Sequence, residues 1–130
     1  YKGSAMIEGA EWQPYQRTTF VTPPFPEFVS GHSTFSAAGA EILRRFTGSD
    51  VYRASYTRNP GTSQVEPAVT PINEVTLAWE TFTAAAEQAG LSRRYGGIHF
   101  EDGDLGGRVM GRQVGALAWE KASALFDGTA

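Results

Sequence analysis

From position 32 to about 46 the apolar residues fall at helical steps. Phe35, Ala38, Ile42 and Phe46 form one stripe, with Glu41, Arg44 and Arg45 largely off it. Ser30 or Ser33 can cap the start of this helix, and Gly48 stands where a stop is expected. A second pattern begins near Asp104, a good N-cap, with Leu105, Val109, Leu117 and Phe126 on an apolar face of a helix over 104–126. Gly107, Gly111, Gly115 and Trp119 follow at four-residue steps along that helix. Each glycine weakens a lone helix by about 1 kcal/mol against alanine, so a close neighbour, most simply another helix, is expected on that stripe.

Between the two helices the periodicity fades. Residues 47–74 are polar and punctuated by Asn59-Pro60-Gly61, Pro67 and Pro71, which predicts a long loop. Val75, Leu77 and Trp79 then alternate with polar or small neighbours, predicting a short strand. Thr81 or Thr83 can cap a helix to about Ala89, closed by Gly90. Residues 92–103 have no clear period. Ahead of the first helix, Pro14, Pro23, Pro24 and Pro26 argue against a long helix and leave room for a short strand over 15–21.

Composition narrows the function classes. The 130 residues suit one domain, and 41% of them are apolar, enough for a modest core. The formal charge of −3 argues against a nucleic-acid surface, and no apolar run is long enough for a membrane span. The absence of cysteine excludes thiolate catalysis and zinc–thiolate sites. The chain opens Tyr1-Lys2-Gly3 with no methionine, and a piece of a longer protein is expected.

Two segments carry candidate chemistry. Ser30-Gly31-His32 stands at a helix mouth, where backbone N–H groups and the positive helix end favour an anion. A histidine there can hydrogen-bond an anion's oxygen or exchange a proton near neutral pH. The second segment is Ser92-Arg93-Arg94-Tyr95-Gly96-Gly97-Ile98-His99, followed by Phe100-Glu101-Asp102-Gly103-Asp104. Arg93 offers a planar fork for two oxygens of a tetrahedral oxyanion. His99 could ligate a metal centre or attack phosphorus, and Asp102 or Asp104 could hold its other ring nitrogen. The plainer alternative makes Arg93 and Arg94 surface partners of Glu87 or Glu101 and His99 a satisfied buried ring.

Ser30-Gly31-His32 before a helix, then Ser92-Arg93, five residues and His99, resembles the signature shared by vanadium-dependent haloperoxidases and the phosphatidic acid phosphatase type 2 superfamily. Pro23-Pro24-Phe25-Pro26-Glu27-Phe28 and Tyr95-Gly96-Gly97-Ile98-His99-Phe100 are most similar to haloperoxidases of the bacterial type. The resemblance covers roughly residues 20–46 and 74–122. It implies a mainly α fold, part of a haloperoxidase-like helical bundle with long loops and at most short strands. The chain, 1–130, would be a single C-terminal catalytic domain, incomplete by itself.

The same resemblance implies vanadate as cofactor. Ser30 and the Gly31 N–H would bind its oxygens, Arg93 would neutralise them, His99 would be the axial ligand to the metal, and His32 would be the acid–base group. Phe25 would lie near the halide. Hydrogen peroxide, halide and a small organic acceptor would be the reactants, with a homo-oligomer or a complementing segment left open. An extracytoplasmic or secreted setting is suggested by the resemblance alone. The same pocket on phosphate would instead make an acid phosphatase acting through a phosphohistidine, and a fragment without partners would be inactive.

Three departures from the family pattern stand out. Val29 occupies the usual proline position before Ser30, and Gly103 the usual aspartate position four residues after His99, with Asp102 and Asp104 on either side. The family's upstream Lys and first Arg have no counterpart here, since neither Lys2 nor Arg17 fits their motif.

Overall fold

The computed structural model describes residues 5–20 and 22–129, so the Tyr1-Lys2-Gly3 opening lies outside the described residues. Among the described residues three helices form the fold: α1 (Gly31–Thr47), α2 (Phe82–Tyr95) and α3 (Glu101–Phe126). A single 3-10 turn at Gly9–Glu11 precedes them, and two strands, β1 (Val51–Arg58) and β2 (Val75–Thr81), lie between α1 and α2. The fold is mainly α, a helical bundle, as expected.

The glycine stripe of α3 meets α1. A Cβ at Gly107 would stand 2.8 Å from the Ser30 carbonyl oxygen, and one at Gly115 would stand 2.6 Å from that of Ala38. At Gly111 a Cβ would overlap the Thr34 carbonyl. Both series rise in the same order by four residues, so the two helices run side by side in the same direction. Backbone approaches backbone, and only glycine fits.

That seam relocates the buried faces. The inner side of α1 is Ser33, Ala37, Ala40 and Glu41 rather than the predicted aromatic stripe. Phe35 and Phe46 are 82% and 72% exposed, and Phe126 on α3 is 84% exposed. Leu105, Val109 and Leu117 also lie outside. Periodicity located the helices but not their buried faces, because within this chain the helices pack through their small residues. Glu41 stays inside because Arg44 and Arg45 embrace it, at 2.9 and 2.5 Å.

Residues 47–74 are not all loop. β1 pairs antiparallel with β2, running from Val51 opposite Thr81 to Arg58 opposite Val75, with an irregularity between Val51 and Ala54. The ribbon is exposed on most of both faces. With neither face buried, no alternation of polarity was required, and β1 left no period to read. Residues 15–20 form turns rather than the expected strand, and Val21 lies outside the described residues.

Helix boundaries shift for identifiable reasons. Thr81 caps α2, its hydroxyl accepting from the Ala84 N–H at 2.9 Å. The helix continues through Gly90, because that glycine is a point of close approach and not a stop. A Cβ there would overlap the Asp104 carboxylate and lie 2.6 Å from Ser33 Oγ. The true exit is Gly96-Gly97, with Gly97 at φ +70° and its N–H donating to the Arg94 carbonyl at 3.0 Å. α3 starts at Glu101, three residues before Asp104, with Phe100 at the cap position.

Candidate anion site

Three helix ends converge: the start of α1, the end of α2 and the start of α3. Ser30 caps α1, its Oγ accepting from the Ser33 N–H at 3.3 Å, while its own N–H donates to the Gly103 carbonyl at 2.9 Å. The entries of α1 and α3 are thereby stitched together. An accepting Ser30 hydroxyl keeps its proton to offer elsewhere. The N–H groups of Gly31 and His32 have no partner within their own helix, being in its first turn.

Arg93 lies on the last turn of α2. Its guanidinium carbon sits 5.6 Å from the centre of the Phe20 ring. Its Nε and Nη2 are buried, with no hydrogen-bond partner among the described residues. Burial holds its pKa below the ordinary arginine range. An unsatisfied buried cation is costly, and a bound oxyanion is the kind of group that satisfies it.

His99 follows the Gly96-Gly97 turn and is 2% exposed at its side chain. Its Nδ1 lies 2.8 Å from the Glu27 carbonyl oxygen. A carbonyl can only accept, so Nδ1 carries the hydrogen and Nε2 of the neutral ring keeps a free lone pair. The Phe25 ring stacks on His99, with centroids 6.2 Å apart and planes 23° apart. An apolar cleft of about 740 Å³ opens along this edge, walled by Trp12, Phe25, Ile98 and Phe100, with Glu27 and Arg94 as charged members. Arg93 and His32 do not line it.

His32 is exposed at the start of α1. Its pKa is lowered, first by partial desolvation of the ring and then by the neighbouring Arg93 and His99. These three groups, more than sixty residues apart at the extremes, therefore share one electrostatic neighbourhood. The alternative in which Arg93 is a surface ion-pair partner does not hold, although Arg94 does pair with Glu101 at 3.2 Å.

The two aspartates part company with expectation. Neither Asp102 nor Asp104 reaches His99, whose Nδ1 is occupied by Glu27. Asp102 is exposed. Asp104 is 0% exposed and faces away, accepting from Ser33 Oγ at 2.8 Å, from Arg108 Nε at 2.8 Å and from Arg108 Nη2 at 2.7 Å. Burial alone would raise its carboxyl. The hydrogen bonds of Arg108 and Ser33, with the charges of Arg108 and Arg94, outweigh that and hold its pKa below the ordinary value. The residues that sequence reasoning passed over are Glu27 and Arg108. Arg108 did leave a signal, the i,i+4 spacing from Asp104 on a predicted helix, and the missing side chain at Gly103 was a pointer to a carboxylate from elsewhere.

The family model described as the VCPO second helical-bundle domain matches residues 1–128. Crystal structures of a bacterial vanadium-dependent chloroperoxidase, in holo and apo forms, superpose with a TM-score of 0.80 at 28% identity over 92% of this chain. A bacterial vanadium-dependent iodoperoxidase superposes with a TM-score of 0.60 at 31% identity over 86% of it. The chain spans about a quarter of each of those structures (24%, 25% and 24%). No curated protein matches. Among the described residues no helix is long and apolar enough to cross a membrane. With its helical bundle and its family match, the chain belongs to the vanadium-dependent haloperoxidases, as their second helical-bundle domain.

Proposed function

We propose that this chain is the C-terminal catalytic portion of a vanadate-dependent haloperoxidase that oxidises halide with hydrogen peroxide. The observation that carries the reading is Arg93, a guanidinium with two buried and unpartnered nitrogens in the electrostatic neighbourhood of His32, which also feels His99. Bound vanadate would supply Lewis acidity that activates hydrogen peroxide toward halide, giving hypohalous acid for halogenation of organic acceptors.

The chain's own residues have separable tasks. Arg93 would balance negative charge on the oxygens of vanadate in a partly dry site. The Ser30 hydroxyl and the Gly31 N–H donate to further oxygens. His99 would hold the metal through its Nε2 lone pair, its orientation set by the bond from Nδ1. His32, whose pKa is lowered by desolvation and by its neighbours Arg93 and His99, would gain basicity when an anion arrives and could then accept and return a proton. Phe25 and the apolar cleft behind it supply a poorly hydrated approach for halide and acceptor. The remaining charge on the anion would be met by cationic groups elsewhere in a longer protein.

The test is bromination of monochlorodimedone by the full-length protein, with and without vanadate, beside hydrolysis of p-nitrophenyl phosphate. Bromination that requires vanadate is expected. Phosphate hydrolysis without vanadate-dependent bromination would reverse the reading in favour of a phosphohydrolase. His99→Ala should abolish vanadate retention, and His32→Ala should spare retention more than turnover.

A further inference from the structure

Glu27 lies in the proline-rich approach to α1, yet both of its polar ends point at the start of α3. Its carbonyl oxygen takes the Nδ1 hydrogen of His99 at 2.8 Å. Its carboxylate Oε1 accepts the Phe100 N–H at 2.8 Å and stands 3.5 Å from the same Nδ1. The chain thus grips His99 and its neighbour with one residue, once through the main chain and once through the side chain.

The surroundings are built around that carboxylate. A Cβ at Gly103 would fall inside it, so the glycine leaves the seat open. Phe100, at the cap position of α3, has no side-chain cap of its own. A carboxylate on the N–H of the cap residue of a 26-residue helix is well placed against the helix dipole. Release of the carboxylate would free the Glu27 carbonyl to drift, and with it the one hydrogen bond among the described residues that fixes which nitrogen of His99 carries the hydrogen.

We propose that Glu27 is a positioning residue for His99: its side chain anchors its own carbonyl, and that carbonyl locks the ring with Nε2 bare and facing the anion site. The consequence for vanadate rests on the function proposed above; the consequence for the ring does not.

The experiment compares wild type, Glu27→Ala, Glu27→Gln and Gly103→Ala in the full-length protein, with histidine labelled at its ring nitrogens. Without vanadate, wild type should show His99 as the Nδ1–H tautomer alone. Glu27→Ala and Gly103→Ala, which empty or block the carboxylate seat, should each give a mixture of tautomers. Glu27→Gln should stay close to wild type, because its amide oxygen still accepts from Phe100. With orthovanadate as probe, Glu27→Ala should bind about tenfold more weakly or worse, the usual cost of freeing a ligand histidine. Inorganic phosphate, which needs no bond from the ring, should change far less. A single tautomer in both Glu27→Ala and Gly103→Ala would overturn the proposal. So would equal losses of vanadate and phosphate, which would make Glu27 a general brace of the pocket. If wild type retains no vanadate, the proposed function fails, and the tautomer comparison still decides the role of Glu27.

Discussion

Two arginines, fifteen residues apart in sequence, show opposite ways of burying a guanidinium. Arg108 on α3 is fully engaged: two bonds to Asp104, a third from Nη2 to the Glu87 carbonyl at 3.0 Å, and Glu87 itself 3.8 Å away. Arg93 on α2 has two buried nitrogens and no partner for either. A paired buried charge holds structure together, and breaking it leaves its partner stranded. An unpaired one weakens the fold and gains its value only when a ligand arrives. The two regions adjoin, since Gly90 on α2 packs directly over the Asp104–Ser33 pair. One half of the helix junction is complete, and the other leaves two guanidinium nitrogens without a partner among the described residues.

The largest expected effect strikes the complete half. Asp104→Ala leaves Arg108 buried without a carboxylate and should cost about 3 to 5 kcal/mol of folding stability, read from denaturant midpoints. The carboxyl is held below its ordinary pKa of 3.8, so the folded state binds fewer protons than the unfolded one in that range. Its contribution is present above the ordinary value and is lost as pH falls through the lowered one. Wild type should therefore show an acid limit that Asp104→Ala softens. No stability loss would erase the contrast with Arg93.

Arg93→Ala should do the reverse. Vanadate retention should fall by about a hundredfold, on the order of 2.7 kcal/mol, while thermal stability without vanadate holds or rises. A stability loss matching that of Asp104→Ala would make Arg93 structural after all. Gly111→Ala probes the seam that holds both halves in place. Alanine is the better helix former, yet the Thr34 carbonyl it meets is backbone and cannot yield, so a loss of about 1 to 3 kcal/mol is expected. Neutral behaviour there would show that the two helices can part without harm.

The smallest effect concerns protons. His32 should titrate below its ordinary pKa of 6.5 in the ligand-free protein. Its contribution to stability is then retained above 6.5 and diminishes as pH falls toward the lowered value, because the unfolded chain takes up the proton first. Phosphate or vanadate in the site should move the midpoint upward, as followed by the ring proton resonances. A midpoint that ignores the anion would place His32 outside the site's reach.

Read alone, the sequence determined the two long helices, the second strand, the cap at Thr81 and a close neighbour along Gly107, Gly111 and Gly115. Each of these follows from local periodicity, capping chemistry or the conformational cost of a residue type. It also brought forward His32, Arg93 and His99 together, through a motif resemblance and not through any geometric rule. Only the tertiary structure decided which faces turned inward, because small-residue packing between helices displaces the aromatic stripes that hydropathy favours. It alone revealed β1, whose exposed ribbon needed no pattern, and reassigned Gly90 from a helix stop to a contact. It gave Asp104 to Ser33, and His99 to Glu27, since hydrogen-bond partners seventy residues apart are chosen by where helix ends meet in space.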